Sequence, residues 1–163
     1  MLIQNLLVKK TELNDPVSAR AFIRLMDHYA RSASGGGQPL GETVYADLLQ
    51  RLPAFPGFHS WMAWLEGEAV GLLNAFTGFS TFAARPLLNL HDIVVQEAWR
   101  GQGIGQALMQ AAEAHARETG CCKLTLEVLT HNQSAYRTYL QQGYQPYQLD
   151  PAMGQAVLLQ KYL

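Results

Sequence analysis

The sequence predicts an α/β protein with a mixed, mostly antiparallel central sheet of about seven strands and helices on both faces. Three observations point there. Apolar residues alternate at period two in several short blocks and recur at helical spacing in others. Turn residues join neighbouring strand-like blocks closely enough for hairpins, as Glu66-Gly67-Glu68 does. One strand–helix–strand stretch, Leu87 to Val128, calls for a crossover inside the sheet.

Taken in order, Ile3 to Lys9 reads as a short first strand. Asp15 and Pro16 make an N-cap and first-turn pair, after which Val17, Phe22, Ile23, Leu25, Met26 and Tyr29 trace one helical face. That helix should stop before Ser34, because Gly35-Gly36-Gly37 and Pro39 break it. A second helix is expected from Glu42 to Leu52, ended by Pro53 and Pro56. His59 to Leu65 and Ala69 to Phe76 read as a hairpin, and Leu87 to Val95 as a further strand. Ile104, Ala107, Leu108 and Ala111 follow helical spacing up to the stop at Gly120. Leu124, Leu126 and Val128 alternate with Lys123, Thr125 and Glu127 as a strand does. A helix over Asn132 to Gln142 ends at Gly143, and Tyr144 to Leu149 and Gln155 to Tyr162 complete the strand count.

At 163 residues the chain has the size of one domain, spanning 1–163. Its 48% hydrophobic and 15% charged residues are those of a globular protein. Twelve basic against thirteen acidic residues give no electrostatic reason to expect nucleic acid (12 Lys+Arg, 13 Asp+Glu). No apolar run approaches the roughly 20 residues of a membrane span, and the apolar start is too short for a signal peptide. The adjacent Cys121 and Cys122 suit neither a disulfide nor a metal site, so a reducing cytoplasm and no metal are expected.

Two segments carry chemistry. In Trp99-Arg100-Gly101-Gln102-Gly103-Ile104-Gly105-Gln106-Ala107-Leu108 a strand has just ended and a helix begins. Backbone N–H groups at a helix start lack internal partners and sit at the positive end of the dipole. Glycines there let an anion approach, Arg100 adds a charge, and pyrophosphate is the natural guest. Gln at 106 breaks a dinucleotide fingerprint, and no Gly-Lys-Ser/Thr triplet makes a Walker loop. The competing reading is a glycine turn that merely lets the helix pack tightly on the sheet. The second segment runs from Asn132 to Tyr144, with Asn132, Ala135 and Tyr139 on one helical face. By itself Tyr139 reads as a packed aromatic; beside a phosphate loop it reads as a phenol held near the ligand.

Together the two segments resemble the GNAT acyltransferases. Arg100, Gly103 and Gly105 match the family's Arg/Gln-x-x-Gly-x-Gly/Ala motif, and Asn132, Ala135, Tyr139, Gly143 and Tyr144 match Asn-x-x-Ala-x-x-x-Tyr followed by Gly and an aromatic. Upstream, Gly78-Phe79-Ser80-Thr81-Phe82-Ala83-Ala84-Arg85-Pro86 running into Leu90-His91-Asp92-Ile93-Val94-Val95 is similar to the diamine (spermidine/spermine) acetyltransferase branch. His91 stands where that branch has Glu, and the loop around Ser32 to Gln38 is uncharged where the branch is acidic.

The resemblance implies an N-acetyltransferase moving an acetyl group from acetyl-CoA to the primary amine of a small molecule, by direct attack through a tetrahedral intermediate. A protein or peptide acceptor is the alternative, and a non-catalytic acyl-CoA sensor is the alternative of another class. It implies that Ile93, Val94 and Val95 bind the pantetheine arm through their backbone. Arg100, Gly101, Gln102, Gly103, Ile104, Gly105 and Gln106 would hold the pyrophosphate, with Asn132, Ala135 and Tyr139 completing the cofactor side. Tyr139 would donate a proton to the leaving thiolate. The attacking amine must lose a proton, for which His91, Asp92, Glu127 or a water chain are the candidates, and the same three residues would face the substrate. Successive strand residues point to opposite faces, so His91 and Asp92 share a target only across a bulge. The glycine-rich loop around Ser32 to Gln38 and the aromatic cluster Phe55, Phe58, Trp61 and Trp64 are candidates to shape the acceptor pocket, with core packing as the other reading of the aromatics. The apolar tail Ala156 to Tyr162 suits either the C-terminal pairing of a homodimer or a buried internal strand.

Overall fold

Asp15 starts the first helix as its residue type demands: its carboxylate accepts the Ser18 N–H at 2.8 Å, which holds its pKa below the usual value. The computed structural model describes residues 5–154 and 156–163. Along it run β1 (Leu7–Lys10), α1 (Pro16–Arg31), α2 (Glu42–Arg51), β2 (Phe58–Leu65), β3 (Glu68–Ser80), β4 (Arg85–Val95), α3 (Ile104–Glu118), β5 (Leu124–Leu126) and α4 (Gln133–Gln141). The chain divides into two compact units, Met1–Glu127 and Val128–Leu163.

The first unit holds a five-stranded sheet in sequence order. β1 to β4 pair antiparallel, and β4 pairs with β5 in parallel, as a crossover through α3 requires. On one face α1 lays Phe22, Leu25 and Met26 against Met62, Leu72 and Val94. Gly71, next to Leu72, faces the other way and lets α3 close in. A Cβ there would sit 3.1 Å from both Ile104 Cγ2 and Leu108 Cδ1, and 3.3 Å from the Val94 carbonyl oxygen.

The expected fold class holds, with five strands among the described residues instead of about seven. No strand forms over Tyr144 to Leu149 or over 156–162, and Gln155 lies outside the described residues. Ile3 and Gln4 of the expected first strand also lie outside them. The second unit contains α4 and a 3₁₀ turn at Pro151–Met153, and Val157, Leu158, Leu159 and Tyr162 are exposed. An apolar run can be read along the chain, whereas a strand also needs a neighbouring edge to take its hydrogen bonds. β3 and β4 run further toward their turn than the apolar pattern does, because Thr77 to Ser80 find ladder partners in Leu88 to Arg85. Among the described residues no helix is long and apolar enough to cross a membrane.

On the α3 face, His59 and His115 bring their rings to 4.3 Å, with Trp61 5.5 Å from His115. Burial first, then repulsion from the other imidazole and Lys10, pushes His59 below the ordinary histidine value; burial and then Lys10 do the same to His115. A depressed histidine binds its proton more weakly when folded than unfolded. The stability it contributes is therefore complete above the unfolded value of 6.5 and is lost as pH falls toward the folded one. Thermal unfolding should show a lower midpoint at pH 5 than at pH 7.5, and His115→Gln should flatten that slope. A slope unchanged in the variant would remove the pair from the explanation.

Candidate active site

β4 is the strand on which the candidate groups converge. It pairs with β5 only over Leu88 to Leu90, whereas its pairing with β3 continues to Val95. Ile93, Val94 and Val95 are thus held on one edge by Leu73, Leu72 and Gly71, while their other edge runs past the end of β5. Such an edge offers N–H and C=O groups to an extended ligand.

Just before that edge the ladder slips. Asn74 pairs with Asp92 and Ala75 with Leu90, which leaves His91 as the extra residue of a bulge. Asn74 and Phe76, two apart on β3, share a face. Asn74 Nδ2 donates to Asp92 Oδ2 at 3.0 Å, and the Phe76 ring meets the His91 ring edge-on at 5.3 Å. The bulge therefore brings His91 and Asp92 to the same side, the side of α1. His91 is exposed and Asp92 half-buried.

Three neighbours went unread in the sequence. Asn74 is 2% exposed in the middle of an apolar strand, its other N–H contact is the Met26 sulfur at 3.3 Å, and its Oδ1 is buried without a partner among the described residues. Burial first, and then the Asp92 charge, raise the Tyr29 phenol, so Tyr29 of α1 stays neutral within the field of that carboxylate. Phe76 is the third. The available signal was Asn74 itself, a lone amide within the run Leu72-Leu73-Asn74-Ala75-Phe76. The expected aromatic cluster splits: Phe55 and Phe58 gather on Phe76, whereas Trp61 faces His59 and His115 and Trp64 is buried in the α1-side core. Strand alternation, with a bulge between Ala63 and Trp64, decides that division.

The glycine loop follows β4. Arg100 Nε donates to the Val95 carbonyl at 3.1 Å and ties the loop to the strand end, and Gln102 Nε2 donates to the Ala98 carbonyl at 3.2 Å. Gly101 and Gly103 have φ of 74° and 84°, and a Cβ at either would meet nothing within 4 Å. Tight packing is thus not what these two glycines supply; Gly71 has that task. They turn the backbone in open space so that α3 starts at Ile104 with no side-chain cap. The N–H groups of Ile104, Gly105 and Gln106 have no carbonyl inside the helix to meet, and they sit at its positive end. A pyrophosphate fits that open, cationic cradle.

In the second unit the Asn132 side chain accepts the Ala135 N–H at 3.3 Å and so caps α4. The Tyr139 and Tyr144 rings lie 6.1 Å apart, and the Tyr144 N–H returns to the Tyr139 carbonyl at 3.0 Å. Glu127 is exposed and follows the last residue of β5 by one position.

The model of the acetyltransferase (GNAT) family matches residues 22–144, a span that takes in both motifs. The chain belongs to the GNAT acetyltransferase family. This GNAT protein is 32% identical over 126 residues to the N-acetyltransferase YycN of Bacillus subtilis, covering 72% of this chain and 80% of that one. It is 33% identical over 89 residues to the aminoalkylphosphonate N-acetyltransferase of Salmonella typhimurium, spanning 55% of this chain and 58% of its relative. Among solved structures, an aminoglycoside acetyltransferase from an uncultured soil metagenomic sample, in complex with trehalose, superposes with a TM-score of 0.73. That match covers 97% of this chain and 95% of the other at 20% identity, a likeness of fold. The GNAT protein is an acyltransferase of a family that uses acetyl-CoA, and its β4 edge and glycine cradle fit such a donor.

Proposed function

We propose that this GNAT protein moves the acetyl group of acetyl-CoA to the primary amine of a small molecule, with residues 1–163 working as one catalytic domain. The observation that carries this reading is the bulge in β4. It sets Asp92 and His91 on one face immediately before the open edge Ile93 to Val95. Bound acetyl-CoA supplies an acetyl group activated as a thioester. In this reading the backbone of Ile93 to Val95 aligns the pantetheine arm, and the N–H groups from Gly101 to Gln106 with Arg100 neutralise the pyrophosphate.

Asp92, fixed by Asn74, holds the incoming ammonium, and His91 takes its proton directly or through water. One N–H along Ile93 to Val95 is suited to the developing oxyanion. Tyr139 gives its proton to the departing sulfur, and Asn132 and Ala135 set the helix that carries it. Holding amine and thioester in line supplies several kcal/mol by itself. Exposed apolar tail residues fit pairing into a homodimer, and the free Cys121 and Cys122 fit a reducing cytoplasm.

The test is thiol release from acetyl-CoA with a panel of amines. Release that depends on both amine and protein supports the transferase. Tight binding of acetyl-CoA with no release for any amine would instead mark an acyl-CoA sensor.

A further inference from the structure

We infer that the acceptor is a primary amine with one cationic centre and an aromatic or similarly flat apolar body. This rests on the transferase reading and names the substrate class of that site. The wall leading to Asp92 is built of rings. Phe76 contacts Phe55 edge-on at 5.7 Å, Phe58 at 5.5 Å and His91 edge-on at 5.3 Å. Phe55 is 57% exposed, so the row begins in solvent and ends beside the carboxylate.

Charge on these strands is sparse. β3 carries Glu68 and β4 carries Arg85 and Asp92. Glu68, at the opening of β3, is paired with Arg24 at 3.1 Å. Arg85 donates through Nε and Nη2 to the Gly120 carbonyl at 3.2 and 3.0 Å. Asp92 is therefore the one carboxylate that the ring wall meets on these two strands. Asn74 holds its Oδ2, which leaves Oδ1 for an ammonium.

A second ammonium, as in a diamine, would leave water with Glu68 already paired to Arg24 and no further carboxylate on these two strands to meet it. On β3 and β4 the one guanidinium is that of Arg85, which is turned to the Gly120 carbonyl, so these strands offer an anionic tail no partner. An aryl body would instead gain apolar burial and edge-to-face contacts with Phe76 and Phe55. His91 occupies the position at which a second acid would have changed this balance.

The experiment compares kcat/KM of the full chain, read as thiol release from acetyl-CoA, for 2-phenylethylamine and tryptamine against 1,3-diaminopropane, spermidine and aminomethylphosphonate. The arylalkylamines should lead by at least about tenfold. Phe55→Ala and Phe76→Leu should each raise KM for them about fivefold or more, with acetyl-CoA affinity unchanged. His91→Glu should move the ratio toward the diamines. Phe55 is exposed, so its variant keeps the test clear of folding defects.

Diamines or the aminophosphonate turning over as well as the arylalkylamines would overturn the substrate class while leaving the transferase intact. An aryl preference indifferent to both Phe variants would overturn the ring wall as its cause. Acetyl-CoA bound but no thiol released with any amine would remove the transferase, and this inference with it.

Discussion

Gly103→Glu should weaken acetyl-CoA binding at least about a hundredfold, a loss of about 2.7 kcal/mol, with the fold retained. Gly103 precedes α3 with φ of 84°, and a side chain there would point into open space. The substituent therefore strikes no protein atom, and the left-handed backbone costs a non-glycine residue about 1–3 kcal/mol. A carboxylate at the helix start is itself favourable to the dipole, which helps the fold survive. That same carboxylate occupies the place where the N–H groups of Ile104, Gly105 and Gln106 would meet pyrophosphate. Asn tolerates a left-handed backbone, so Gly103→Asn should bind within about tenfold of the parent. Calorimetric titration of the three proteins reads this directly. Wild-type affinity in Gly103→Glu would return the loop to a structural turn and place the donor elsewhere.

Tyr139→Phe should lower kcat about a hundredfold or more while acetyl-CoA affinity changes little. The substitution keeps the ring that lies tilted against Tyr144 and removes one hydroxyl, so α4 should persist. The departing thiolate resembles that of cysteine, with a thiol pKa of about 8.5, and a phenol near 10 protonates it usefully only at short range. A fall in kcat without a matching change in binding would mark an interaction made in the transition state. Steady-state turnover and calorimetry on the same preparation separate the two quantities. Unchanged turnover would take Tyr139 out of the mechanism and leave it as packing in the second unit.

Local spacing made much of this molecule legible from the chain. The Asp15 cap, the stop before the Gly35 loop, the Glu66-Gly67 hairpin and the start of α3 inside the glycine loop are decided within a few residues. The family motifs belong to the same class, since each spans a turn or two of helix. The final strands failed for the opposite reason: Tyr144 to Leu149 has strand-like residues, but pairing depends on a distant edge.

The acceptor side of the site was read only conditionally. Alternation says that His91 and Asp92 diverge unless a bulge intervenes, and nothing in Leu90-His91-Asp92-Ile93 announces one. The bulge exists because Asn74 pairs with Asp92 while Ala75 pairs with Leu90, a register set jointly by two strands. The same cross-strand register puts the Asn74 amide on the Asp92 carboxylate and Phe76 under His91. Alternation along β2, with its own bulge between Ala63 and Trp64, sends Trp61 to the α3 face, away from the Phe55 and Phe58 with which the sequence groups it.

What the sequence determined by itself is the family, the glycine turn before α3 and the capped helix bearing Tyr139, because each is a chain-local pattern of backbone preference and spacing. What only the tertiary structure decided is which side chains surround Asp92 and where β4 loses its partner strand. Register and bulges are properties of two strands at once, and no single stretch of chain contains them.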